Sequence, residues 1–225
     1  MQSNLTRRLG AEFLGTAFLL ATIAGSGIMG ESLFADQAGG RAGATLLPHS
    51  LAIGAILFVM ITLLGPISGA HFNPAVSLAF ALRGELGRRD FSLYIVTQII
   101  AGIIGVWIAH LMFDISILQS SAKARAGLGQ WSAEVVATFG LVFTILAGLK
   151  ARPQAVPALV GLYIMAALWF TASTGFANPA VTVARMLTDT FSGIAPADAP
   201  AFSAAQLAGA ALAVPAARFL WPDGT

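Results

Sequence analysis

Two asparagines, Asn73 and Asn178, each open an identical tetrapeptide, Asn-Pro-Ala-Val, 105 residues apart. Asparagine is a favoured helix N-cap and proline a favoured first helical residue, so Asn73-Pro74-Ala75 and Asn178-Pro179-Ala180 each read as the abrupt start of a helix. Both helices are expected to be short. Pro74 to Leu82 ends at Arg83-Gly84, and Pro179 to Leu187 has the same nine residues, about 14 Å at the α-helical rise. That is about half the thickness of a bilayer's hydrocarbon core. Two such half-helices meeting at their amino ends would complete one crossing, aim the positive ends of both dipoles at the midplane and offer two side-chain amide donors there. An oxygen accepting from both amides must turn its own hydrogens away, which interrupts any file along which a proton could hop, while the positive potential repels cations. The chemistry such a pair supports is selection of small uncharged solutes.

The rest of the chain is composed to hold such a pair in lipid. Of 225 residues, 57% are hydrophobic and 10% charged, and the mean hydropathy is +0.81; a soluble domain carries about a quarter charged residues. Hydrophobic runs over residues 9–30, 47–65, 91–113, 131–149, 156–172 and 201–221 predict six spans of roughly 20 residues, with turn-rich connectors between them. The first outer connector is read as 31–47. The first run follows Arg7 and Arg8 as a signal peptide would, but it contains Glu12 and shows no clear cleavage site, so it is read as a retained helix. A cytoplasmic amino terminus places Arg7, Arg8, Arg83, Arg88, Arg89, Lys150, Arg152 and Arg218 inside, and Arg41, Lys123, Arg125 and Arg185 outside. This is the positive-inside arrangement, with both termini cytoplasmic. Net charge +2 gives no case for a nucleic-acid partner, and the absence of cysteine excludes thiol chemistry. No metal-ligand cluster, nucleophile triad or phosphate loop is present to suggest an enzyme or a cofactor.

The chain repeats internally. Residues 68–79 align with 173–184; Ala11-Glu12 corresponds to Ala133-Glu134, and Gln98 to Gln206. Three spans per half force the halves, approximately 1–118 and 123–225 of one channel domain, to lie upside down to each other, with their shared site at the midplane. Glu12 and Glu134 are acids within spans, where a proton relay is one reading. Their equivalent placement favours a structural one: each carboxylate accepts backbone N–H groups from its re-entrant loop. His71 is read either as pore-lining or as a local brace for its loop. His49 and His110 are read as satisfied near helix ends.

The paired Asn-Pro-Ala motifs, the preceding Ser68-Gly69-Ala70-His71-Phe72 and the opening Glu12-Phe13-Leu14-Gly15-Thr16 resemble the aquaporin and aquaglyceroporin family, also called major intrinsic proteins, over essentially the whole chain. The resemblance implies an all-α membrane protein with six transmembrane helices, two re-entrant half-helices and an inverted repeat, the aquaporin fold. It also implies a homotetramer with one pore per subunit, lipid and small neutral solutes as partners, and no cofactor.

In this family an arginine normally follows the second motif directly; here that position is Val181. Counting to the other filter positions gives Ile53, Ala166 and Gly175, an apolar ring with two very small members. Such a ring favours glycerol-like or metalloid hydroxide solutes over strict water selectivity, and related bacterial channels lacking this arginine make neutral or methylated arsenic species a candidate cargo. A water-selective pore is the alternative, and an ion-coupled secondary transporter the alternative of another class. Arg185, four residues beyond Val181, either faces the outer vestibule as a displaced charge or pairs with Asp189 at i,i+4. A bacterial inner membrane is the expected location.

Overall fold

The computed structural model describes residues 4–35 and 41–222. Six helices are long and apolar enough to cross a membrane. They are α1 (Leu5–Leu33), α2 (Arg41–Ser68), α4 (Arg88–Met112), α5 (Leu128–Ala151), α6 (Val156–Phe170, entered through a 3-10 turn at Pro153–Ala155) and α8 (Ala199–Leu220). Two short helices, α3 (Pro74–Leu82) and α7 (Pro179–Arg185), interrupt the series at the two motifs, and no strand occurs among the described residues. Large apolar side chains such as Phe18, Leu63, Ile100 and Leu212 face outward, the inverse of a water-soluble surface and suited to lipid or neighbouring hydrophobic helices.

Close helix approach comes from small residues, as expected where lipid removes the hydrophobic drive for association. The helices α1 and α4 meet where Gly105 lies against the Ala17 carbonyl, and α5 and α8 meet where Gly209 lies against the Val135 carbonyl. The helices α2 and α6 cross at two facing glycines, Gly54 and Gly161, each set against the other's carbonyl. The half-helices α3 and α7 each pack on both α4 and α8.

Two boundaries differ from the sequence reading. The helix α2 begins at Arg41, so the connector read as 31–47 is shorter than expected. Thr45 explains part of the extension, because it packs on Gly30 of α1 and thereby carries the helix pair beyond the hydrophobic run. The half-helix α7 has seven residues where nine were expected. Met186 and Leu187 N–H groups turn back to the i−3 carbonyls of Val183 and Ala184, and the Arg185 carbonyl accepts instead from Ile194, so the helical ladder stops there.

Candidate solute-conducting site

Both asparagines cap the half-helices they open. Asn73 and Asn178 are extended, at φ −158° and −159°. Their Oδ1 atoms accept from Ala75 N–H at 2.8 Å and Ala180 N–H at 2.9 Å. Pro74 and Pro179 occupy the first helical positions, while Ala75 and Ala180 are fully buried behind them. Each amide then reaches across the midplane: Asn73 Nδ2 donates to the Ala177 carbonyl at 2.7 Å, and Asn178 Nδ2 to the Phe72 carbonyl at 2.9 Å. An amide nitrogen carries two hydrogens, so one donor per asparagine is left for the cavity that both side chains line.

The loops before the motifs adopt conformations that ordinary residues avoid. Ala70 (φ 49°), Phe72 (φ 50°), Thr174 (φ 60°) and Ala177 (φ 49°) are all left-handed, each at a cost of about 1–2 kcal/mol. The two buried glutamates hold them in place. Glu12 accepts from His71 N–H at 2.9 Å, Phe72 N–H at 2.7 Å, Ser68 Oγ at 2.7 Å and Gln98 Nε2 at 2.9 Å. Glu134 accepts from Phe176 N–H and Ala177 N–H, each at 2.9 Å, and from Gln206 Nε2 at 2.6 Å. These backbone donors belong to no helix, and at membrane depth they need such partners. His71 does two things: its Nδ1 hydrogen-bonds Ser77 Oγ at 3.0 Å, and it lines the cavity. Its ring also stacks on Phe80, with centroids 4.5 Å apart. His49 bonds Ser26, and His110 bonds the Ile117 carbonyl and Thr188.

A cavity of about 60 Å³ runs past both asparagines, room for about four waters at roughly 15 Å³ each. Its walls are mostly branched aliphatic side chains, and Ile53, Gly175 and Val181 are among them. Ala166 is not; it is exposed on the outer face of α6. The correction follows from helix geometry. The α6 residues that face the cavity are Val160, Ile164 and Leu168, spaced four apart, and Ala166 lies about 200° around the helix from each of its neighbours in that row. On α6, Leu168 and not Ala166 borders the cavity.

Arg185 lines the cavity and is 4% exposed. Its Nε donates to the Ser192 carbonyl, and its guanidinium carbon lies 3.4 Å from the centroid of the Phe176 ring. It makes no ion pair with Asp189, which corrects that reading: among the described residues no such pair exists, and the Asp189 carboxylate accepts from Ala122 N–H at 3.0 Å. A second guanidinium, Arg125, lies 4.8 Å from the centroid of the same ring. It donates to the carbonyls of Gly193 at 2.9 Å and Ser173 at 3.2 Å. Burial lowers the Arg125 pKa to about 10, with Glu134 opposing, so it stays charged near neutrality. Sequence reasoning treated Arg125 as a connector residue and did not single out Phe176 or Leu168; contacts between distant loops create the roles of Arg125 and Phe176, whereas Leu168 belongs to the row of Val160 and Ile164 on α6, whose facing is fixed by packing.

Six apolar crossings around two half-helices, with paired amide donors on a narrow apolar cavity, define a multi-pass membrane channel. The Major intrinsic protein family model matches residues 1–175. The chain is 56% identical over 217 residues to aquaglyceroporin AqpS of Rhizobium meliloti (strain 1021), covering 96% of this chain and 91% of that protein. It is 30% identical to aquaporin NIP1-1 of Arabidopsis thaliana over 70% of this chain and 54% of the relative. The solved aquaglyceroporin from Plasmodium falciparum has the same fold, with a TM-score of 0.71 at 22% identity over 96% of this chain and 95% of its own. The chain therefore belongs to the major intrinsic protein family. It is a passive channel for small neutral solutes, not an enzyme.

Proposed function

We propose that this channel conducts glycerol-like polyols and other compact uncharged solutes larger than water, through a path whose narrow part is apolar. The observation that carries this reading is Val181, buried on the cavity wall immediately after the second motif, where the family resemblance calls for arginine. With Ile53 and Leu168 it gives passing water no hydrogen-bond donor to replace its shell, which weakens the preference for water relative to a solute with carbon-bound surface. Neutral metalloid hydroxides and methylated arsenic species extend the same class, by resemblance to arsenic-operon-associated channels. Asn73 and Asn178 are the midplane donors that exclude protons, with Glu12, Glu134 and His71 bracing their loops. The resemblance supports a homotetramer, and the lysine and arginine distribution supports cytoplasmic termini in a bacterial inner membrane.

Stopped-flow light scattering on proteoliposomes tests this with water, glycerol and arsenous acid, for the native chain and Val181→Arg. Native flux of the larger solutes, suppressed selectively by the substitution, is the expected result. A native protein that passes water alone overturns the substrate reading.

A further inference from the structure

Among the described residues, one side chain with a permanent charge lines the cavity, and it is incompletely used. Arg185 is more than nine-tenths buried, yet apart from its Nε bond to the Ser192 carbonyl its guanidinium has no hydrogen-bond acceptor among the described residues. Arg185 lines the cavity, and its two terminal Nη groups bond to no acceptor among the described residues. The charge is also only partly compensated: one carboxylate, Glu134, acts on both Arg185 and Arg125. Arg125 places a second guanidinium on the same Phe176 ring, and the nearby Glu134 is already bonded by Phe176 N–H, Ala177 N–H and Gln206. Asp189 and Asp198 accept from the backbone N–H groups of Ala122 and Arg125. Among the described residues no carboxylate lines the cavity.

A buried guanidinium with unbonded terminal donors, on the wall of a cavity of about 60 Å³, has the donor geometry that planar oxygen acceptors match. We propose that the Arg185 end of the cavity is a binding subsite for a small planar monovalent oxyanion of nitrate or formate size. Bound there, the anion lies in the path of neutral solutes and slows them. This rests on the channel reading above only for the flux effect; binding itself does not depend on it. Arg125 acts as a positioning residue. It does not line the cavity, but its charge raises the local potential, and its bonds to Ser173 and Gly193 hold together the loops that shape this end.

The test uses full-length protein in two formats. In proteoliposomes, glycerol flux is measured in sodium nitrate or sodium formate against sodium gluconate of equal concentration, gluconate being too large to enter. In detergent, thermal unfolding is followed across the same anion series. The native protein should lose glycerol flux and gain Tm with nitrate and not with gluconate, and Arg185→Gln should weaken both responses by roughly tenfold or more, the loss of a charge-assisted hydrogen bond. Should Arg185→Gln not fold, Arg185→Lys decides, since it keeps the charge but not the planar fork; nitrate should bind it several-fold more weakly, and unchanged nitrate affinity would overturn the proposal. Equal responses in Arg185→Gln, or no nitrate-specific Tm shift in the native protein, also overturn it. A nitrate-dependent, Arg185-dependent Tm shift in a protein that passes no glycerol would leave the anion site standing and remove the channel reading instead.

Discussion

Asn73 Nδ2 lies 2.7 Å from the carbonyl oxygen of Ala177, so the first half-helix is fastened directly to the residue before the second half-helix's cap. The reciprocal bond from Asn178 to Phe72 makes the midplane a closed pair of clasps, each asparagine capping its own helix and pinning the opposite loop. Asn73→Asp separates these roles. Aspartate is as good an N-cap, but it cannot donate to Ala177, and it sets a carboxylate against a carbonyl at membrane depth. Destabilisation of about 3 kcal/mol is expected. Proton leak, read with a pH dye trapped in liposomes, should rise as the positive midplane potential falls. Unchanged leak together with native thermal stability would show that the clasp contributes to neither.

The helix pair α1 and α4 depends on Gly105. A Cβ there would sit 2.3 Å from the Ala17 carbonyl oxygen and 3.0 Å from Leu20 Cβ. Backbone cannot yield to that contact without separating the helices, so Gly105→Ala should cost about 1–3 kcal/mol as an overpacked site. Gly10→Ala on α1 is the contrast, because a Cβ there meets nothing within 4 Å and improves helix propensity by up to about 1 kcal/mol. Thermal unfolding in detergent should therefore move in opposite directions for the two variants.

How much of this was legible beforehand depended on whether the signal was local. The half-helix α3 coincides with the nine residues between Pro74 and Arg83, because cap, first-turn proline and terminating Arg83-Gly84 are all adjacent in sequence. The end of α7 was not legible, since it is set by Ile194 taking the Arg185 carbonyl from nine residues away. Spacing brought Glu12 and Glu134 to notice, and their bonds to the re-entrant loops follow from the repeat. Arg125 sits in a polar connector with no periodicity, and only tertiary packing brings it onto Phe176. Counting backward from Asn178 to Ala166 crossed residues 171–178, where irregular backbone destroys the fixed angle per residue on which such a count relies.

Lys123 gives the loop cluster around Arg125 and Arg185 a pH dependence. Its Nζ donates to the Phe191 carbonyl at 2.6 Å and lies 4.8 Å from the centroid of that ring. Burial, then the charges of Arg125 and Arg185, lower its pKa from 10.5 to about 8 against the opposing pull of Glu31. The folded state therefore disfavours the protonated amine. Below about pH 8 the penalty is fully present; between about pH 8 and 10.5 the unfolded chain holds more protons than the folded one, and stability should rise with pH. Lys123→Gln should flatten that part of the Tm profile relative to the native protein. A native-minus-variant difference that is constant from about pH 7 to 10.5 would show that the lysine is not perturbed.

Leu168 belongs to the face of α6 that lines the cavity. It and Ile164 lie one turn apart on the cavity wall, whereas Ala166 between them is exposed. Leu168→Trp adds a larger, rigid ring to a cavity of about 60 Å³ and should cut glycerol flux at least roughly tenfold, with water less affected because a single file needs a narrower gap. Ala166→Trp places the same bulk on the outer surface, where an indole is tolerated, and should leave flux per folded channel unchanged. Stopped-flow measurements normalised to the reconstituted protein distinguish the two. If Ala166→Trp blocks glycerol and Leu168→Trp does not, α6 is rotated from the orientation described, and the narrow ring is the one first counted from the motif.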